Sequence, residues 1–354
     1  YTMEKDNTSD FKYFQQAYPN VTVLAAKKKV IPKENIFQNG KYIQLGESVP
    51  VWKTLIGKVN TPYTFIAHDL ANIDKDSRFE RLIRAISQLN VPIVGGATKG
   101  AEGTWKLNCY QSATQNYTHV LRMGYHNSLH ECLYCNHFYG PIMAKTEFLK
   151  SITMDESLGD VIFLDLFYQT LANKHQNVAV CPDVMFHVKD GNYSKSQLLP
   201  FAKKVDIHKF VIDDNIVQFS CSEIGKVCSL SRGMAVSPCC LQDLSNTIKS
   251  LFKKCQEYDI ICELQEGTLL GAVKLGKVLP WDMDADVTFL SSHFEALQKF
   301  GSSLQAKGYN LAMDFNSLSC CKDGRKVGGK AKLTSAHWTV ELYGQHIMDS
   351  EQLI

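Results

Sequence analysis

Asp282, Asp284 and Asp286 alternate with Met283 and Ala285 in the run Pro280-Trp281-Asp282-Met283-Asp284-Ala285-Asp286. On a β-strand, side chains at i, i+2 and i+4 share a face, so the spacing predicts three carboxylates projecting together. Like charges so placed repel unless a cation lies between them. A hard divalent ion, Mg²⁺ or Mn²⁺, takes carboxylate oxygens and keeps positions for a substrate's phosphates. The chemistry implied is metal-assisted phosphoryl transfer. Upstream, Glu266-Gly267-Thr268-Leu269-Leu270-Gly271 opens a predicted helix with small residues, and Gly267-Thr268 would let the backbone approach phosphate. Downstream, Glu341 in Val340-Glu341-Leu342 offers a further acid on a late apolar strand. A solvated acidic turn is the plainer reading, and the flanking Trp281, Val278, Leu279 and Val287 weigh against it. A calcium loop lacks the glycine and distal glutamate spacing of an EF-hand.

The elements that must position these residues follow from periodicity. Leu241, Leu244, Ile248, Leu251, Phe252 and Cys255 predict a helix, Ile260–Leu264 a strand, and Gly267–Val273 a short helix. Val287–Leu290 continues the aspartate strand, Phe294–Leu304 reads as a helix and Trp338–Tyr343 as a strand. Earlier in the chain, strands are expected at Val21–Ala25, Thr64–Ile66, Val91–Gly96 (stopping at a glycine pair) and Val178–Val180. Helices are expected at Val49–Val59, Ser77–Leu89 and Leu158–Leu171. Strands alternating with helices imply an α/β fold with a largely parallel sheet. Residues 1–20 read as a stem or linker remnant, 21–215 as one domain and 216–354 as a second.

Cys221, Cys228, Cys239 and Cys240 lie in the connector before the later helix. Four thiolates can close a structural zinc site, and two disulfides are the alternative. Cys132-x₂-Cys135 has no companion pair, so a disulfide using Cys109 or Cys181 is the better reading, and Cys255, Cys262, Cys320 and Cys321 stay unassigned. His126, His130 and His137 nearby read as loop or core histidines, and Lys203-Lys204 as a solvated charge run. Twelve cysteines, with Asn-x-Ser/Thr tripeptides at Asn7, Asn20, Asn116 and Asn192, point to a secretory-pathway lumen. A net charge of +2 speaks against a nucleic-acid partner held by a basic surface. The chain begins at Tyr1, so a signal or single-pass membrane anchor is expected upstream.

The small-residue helix opening, the Asp-x-Asp run and the later acid resemble, in that order, the nucleotidyltransferase superfold. More closely, EGTLLGAVKLGKVLPWDMDAD (266–286) is similar to the signature of the LicD-type phosphotransferases. The whole chain resembles the fukutin-related members of that family. That resemblance implies a non-catalytic stem domain like a GT-A glycosyltransferase, followed by a catalytic domain with a zinc loop at Cys221, Cys228, Cys239 and Cys240. It implies a transferase of substituted phosphate groups: ribitol 5-phosphate, or a similar polyol phosphate, would move from a CDP-activated donor to a glycoprotein glycan. The setting would be O-mannosyl glycan maturation in the Golgi or ER lumen, and a homo-oligomer is expected.

Within the resemblance, Asp282, Asp284, Asp286 and Glu341 would be the catalytic metal set. Gly267, Thr268, Gly271, Lys274 and Trp281 would line the donor site. Glu341 stands where the family has aspartate, Lys274 where arginine is usual and Leu275 where histidine is usual. An ammonium does not grip phosphate bidentately as a guanidinium does. These departures keep open a pseudoenzyme that supports another transferase. A working N-terminal glycosyltransferase, using Asp69 or Asp74 near Ile66-Ala67-His68, is the other alternative. Thirteen residues follow Glu341, fewer than the family's catalytic domain carries, so either the chain is a fragment or its site is built with less.

Overall fold

A computed structural model describes residues 16–27, 40–46, 49–68, 70–172, 176–189, 193–225, 228, 235–320 and 324–346. The chain divides into two compact units, Tyr1–Phe219 and Ser220–Ile354. Both mix helices with mixed sheets, an α/β architecture.

In the first unit the largest sheet has eight strands. Its spine runs β1 (Tyr63–Ile66), β4 (Ile142–Lys145), β2 (Ile93–Lys99), β5 (Val178–Val188) and β3 (Cys132–Cys135). Only the β2–β5 pair in that spine is parallel. The expectation of a largely parallel sheet is therefore corrected. Ile142–Lys145 inserts antiparallel between Tyr63–Ile66 and Ile93–Lys99, and Cys132–Cys135 lies antiparallel to Val178–Val188, partners distant in the chain whose direction helix–strand alternation does not set. Strand β2 does not stop at Gly95-Gly96. A Cβ at Gly95 would lie 2.3 Å from the Phe138 ring, and one at Gly96 2.5 Å from the Val184 carbonyl oxygen. The glycines admit neighbours against a continuous strand.

Helix α1 (Phe79–Leu89) buries Phe79, Leu82, Ala85, Ile86 and Leu89 at helical spacing and ends at Asn90 in the left-handed region. The next predicted helix is split: a 3₁₀ segment, Glu156–Val161, turns at Gly159 (φ 57°) into α2 (Ile162–Ala172). A second, five-stranded sheet ends with the hairpin Lys209–Ile212 and Asn215–Gln218, so the first unit runs on to Phe219. Lys204 is more than a solvated charge, because it lies 2.8 Å from the buried Asp165 and 3.2 Å from Asp155. Cys132 pairs with Cys181 and Cys135 with Cys109.

Among the described residues the second unit holds one five-stranded sheet, against whose core face the helical segments 238–257 and 294–305 pack. Helix α3 (Pro238–Glu257) carries Cys240, Leu244, Ile248, Leu251 and Cys255 into the core. It leads to β6 (Cys262–Leu264), α4 (Glu266–Leu275), β7 (Ala285–Leu290), β8 (Asn310–Cys320), β9 (Lys326–Thr334) and β10 (Thr339–Gln345). The order across the sheet is β6-β7-β10-β9-β8, with β7 and β10 parallel. The helix expected over Phe294–Leu304 is broken into two α and two 3₁₀ pieces between Ser291 and Gln305. Alternation sends Val287, Phe289, Val340, Leu342, Ala331 and Leu333 into the core. It sends Asp286, Glu341, Tyr343, Lys330 and Lys332 to the opposite face.

The connector cysteines correct the zinc expectation. Cys221 pairs with Cys239 and Cys228 with Cys240 as disulfides. Consecutive residues on a helix point about 100° apart, so Cys239 and Cys240 reach different partners. Cys255 and Cys262 form a further disulfide, tying the end of α3 to β6.

Candidate active site

Strand β7 begins at Ala285, so of the three aspartates only Asp286 lies on it. Asp282 and Asp284 precede it, in the turn that closes with the Asp282 N–H donating to the Leu279 carbonyl at 3.1 Å. The single-strand face expected from the spacing is replaced by a turn that folds the acids towards one another. Four contacts fix that turn. The Val236 N–H, at the end of the disulfide-bonded connector, donates to the Pro280 carbonyl at 2.7 Å. The Asp286 N–H donates to Thr268 Oγ1 at 3.0 Å, and the Gln265 N–H donates to the Asp286 carbonyl at 3.0 Å. Gln265 Nε2 also donates to Thr288 Oγ1 at 3.0 Å.

The glycine-opened helix therefore serves the aspartates directly. Thr268 is buried and its hydroxyl holds the Asp286 backbone, so it is not laid open to a phosphate. A Cβ on Gly267 would sit 3.3 Å from Asp282 Oδ1, so the bare backbone here makes room for a carboxylate of the chain itself. Gly271 is a packing position: a Cβ would meet the Lys277 carbonyl oxygen at 2.7 Å and the Leu279 nitrogen at 3.0 Å. Lys274 and Trp281 are exposed, with Trp281 64% accessible beside Asp282. Leu275 is exposed as well.

The electrostatics report a crowded anionic centre. Burial, then Asp284, raises the pKa of Asp282. Burial, then Asp284, Glu266, Glu341 and Asp282, raises that of Asp286. Glu266, at the first position of α4 with φ 45°, is a member of the centre that the aspartate spacing did not reveal. The signal was available in its place just before Gly267.

Glu341 lies opposite Asp286 in the parallel pairing of β7 and β10. It is held differently from the aspartates. Lys332 Nζ donates to its Oε1 at 2.7 Å, and the Tyr343 hydroxyl donates to its Oε2. Both bonds pull its pKa down. The same bond from Tyr343 pushes the phenol up to about 12.

The donor chemistry suits a hard divalent cation. Asp282 Oδ2 is buried with no hydrogen-bond partner, although a buried charged oxygen ordinarily has one. Carboxylates are the ligands that Mg²⁺ and Mn²⁺ take. Among the described residues, no group of three or more His, Cys, Asp or Glu side chains is closed enough to hold an ion as it stands. The fit is thus one of ligand type and unsatisfied charge around Asp282, Asp284 and Asp286.

The candidate position in the first unit is organised otherwise. His68 stacks on Phe163 with ring centroids 4.0 Å apart. Asp74 Oδ1 accepts from the Asp76 N–H at 2.9 Å, and Asp74 Oδ2 lies 2.8 Å from His187 Nε2. Asp69 lies outside the described residues. His137 is a core residue, His126 contacts Asn136 Oδ1 at 3.3 Å, and His130 sits in an exposed turn.

Residues 259–324 match the family model described as LicD/FKTN/FKRP, nucleotidyltransferase domain. No curated protein matches the chain. The match bears out the LicD-type resemblance carried by Glu266–Asp286, and with it a transferase of phosphate-containing groups acting on glycans. Glu341 and the cysteine connector lie outside the matched residues. No described helix is long and apolar enough to cross a membrane.

Proposed function

We propose that this chain, whose residues 259–324 match a LicD-type nucleotidyltransferase domain, moves a polyol phosphate from a CDP-activated donor to a glycan hydroxyl. The observation that carries this reading is the buried, unpartnered Asp282 Oδ2 among carboxylates that repel one another. Asp282, Asp284 and Asp286 would hold Mg²⁺ or Mn²⁺, which supplies neutralisation of phosphate charge when bound. The acceptor oxygen attacks the phosphorus that bears the polyol, the bond from that phosphorus to the CMP oxygen breaks, and CMP leaves. Asp286, fixed by Thr268 and Gln265, takes the acceptor's proton. Trp281 offers an exposed aromatic face to base or sugar, and Lys274 a cation for the departing phosphate.

The first unit serves as a non-catalytic, GT-A-like stem. Both Asp74 oxygens are engaged within the fold, which disfavours an independent metal site there. A luminal Golgi or ER setting accords with the five disulfides among the described residues and with exposed sequon asparagines Asn20 and Asn116. Asn7 and Asn192 lie outside the described residues.

The test is CMP release from CDP-ribitol and CDP-glycerol with Mn²⁺ or Mg²⁺ and a phosphoglycan acceptor, comparing wild type with Asp284→Ala. Metal-dependent release that the substitution abolishes supports the reading. No release from either donor by folded protein favours a pseudoenzyme.

A further inference from the structure

Glu341 differs from Asp282 in that each of its oxygens accepts a hydrogen bond within the fold. Its Oε1 accepts from Lys332 and its Oε2 from Tyr343, whereas Asp282 keeps a buried oxygen with no partner. The strand registers put Asp286 opposite Glu341 and Glu341 opposite Lys332, on β7, β10 and β9. Adjacent strands are spaced about 4.8 Å apart, so Lys332 stands roughly 10 Å across the face from Asp286. Lys330 lies two residues along β9 on the same face, with its Nζ 5.9 Å from the centre of the Tyr343 ring. Lys332 is 61% exposed. The open face of the sheet is thus graded in charge, acidic at Asp282–Asp286 and basic at Lys330 and Lys332, with Glu341 between.

We propose that Glu341 is a counter-ion and not a metal ligand, and that Lys332, with Lys330 beside it, forms a site for the diphosphate of the nucleotide-activated donor. This rests on the functional reading above and names how that site grips its donor. When a diphosphate reaches across the face from the aspartates, Lys332 exchanges Glu341 for phosphate oxygen. Tyr343 keeps Glu341 oriented while the lysine is away. A cation at the aspartates and an ammonium at Lys332 would then hold the two ends of one dianionic group.

Mn²⁺ binding by calorimetry, with and without inorganic pyrophosphate, tests this on wild type, Glu341→Gln, Lys332→Gln, Lys332→Arg and Asp284→Asn. Glu341→Gln should leave the Mn²⁺ Kd within about threefold while Asp284→Asn weakens it by roughly 30-fold or more. Pyrophosphate should bind about tenfold more weakly to Lys332→Gln, near normally to Lys332→Arg, and more tightly to Glu341→Gln, whose lysine is released from its carboxylate. That tightening is an effect that a purely structural glutamate would not produce. Loss of Mn²⁺ in Glu341→Gln to the same degree as in Asp284→Asn overturns the inference alone. So does unchanged pyrophosphate binding in Lys332→Gln. Wild-type protein that binds no Mn²⁺ overturns the functional reading and the inference with it.

Discussion

Asp74 in the first unit and Asp282 in the second both sit in turns next to sheet strands, and their surroundings differ in two respects. Asp74 has each oxygen engaged, one by a backbone N–H and one by His187. Asp282 has a buried oxygen with no partner and like charges for neighbours. An acid whose hydrogen bonds are complete stabilises a fold, while an acid left short amid other acids is arranged for something that arrives later. The difference separates a structural turn from a site without appeal to residue type, since both are aspartates.

The sharpest way to break this comparison is to remove one acid from each unit. Asp284→Ala should reduce CMP release by roughly 10³-fold or more, the scale of losing a main electrostatic contributor. Asp74→Ala should leave release within about twofold and instead lower stability by about 1–2 kcal/mol, through its lost hydrogen bonds. Release that falls equally in both would erase the distinction.

Acid titration of chelator-treated protein should drive the units in opposite directions. His119 and His137 are buried, and burial first pushes their pKa values down, to about 4 and about 3. The unfolded chain binds those protons first. Their contribution is therefore fully present above pH 6.5, and about 1.4 kcal/mol per imidazole is lost for each pH unit below it. Asp282 and Asp286 are raised, so their contribution is present below pH 3.8 and is lost as pH rises through the folded values. Two melting transitions followed from pH 8 to pH 4 should show the first unit weakening as the acidic cluster of the second is relieved. Substituting His137→Gln should flatten the first unit's profile.

A ligand test comes next in size. At neutral pH, Mn²⁺ at a hundred times its Kd should stabilise the second unit by about 2.7 kcal/mol and leave the first unmoved. A rise in both transitions, or in neither, would contradict the assignment. The smallest expected effect is that of Gly267→Ala. Its Cβ would press on Asp282 Oδ1 from 3.3 Å, a contact that a side chain can relieve by shifting. We expect roughly tenfold weaker Mn²⁺ binding with little change in melting temperature.

The sequence carried the acidic centre because its signal is local. Five residues of alternation and a glycine-opened helix lie within Glu266–Asp286, and the structure brings these together through Thr268 and Gln265. Tertiary geometry redirected the details. The spacing implied one strand face, whereas the turn at Leu279–Asp282 places two of the three acids ahead of β7. The hairpin β8–β9 escaped the reading altogether. The pairing shifts register between Asp314 and Leu318, which breaks the two-residue alternation, and Gly328 and Gly329 interrupt the other strand with positive φ. Lys332 was invisible for that reason. The largely parallel sheet failed on a different count, since periodicity fixes element type and says nothing of strand direction. Helical periodicity succeeded for α1 and α3, whose apolar stripes are long enough to be unambiguous.

The disulfides carry a consequence for how the molecule matures. Cys109–Cys135 and Cys132–Cys181 interlace along the chain, and so do Cys221–Cys239 and Cys228–Cys240. Four cysteines allow three pairings, and joining them in order of emergence reaches neither the interlaced nor the nested one. Any bridge formed between a wrong pair is undone by exchange on a scale of seconds to hours. Among the described residues no bridge crosses from one unit to the other, so this proofreading runs twice, separately. Each bridge still needs an oxidant to form, and a mispaired first unit would not of itself prevent the second from reaching its native bridges.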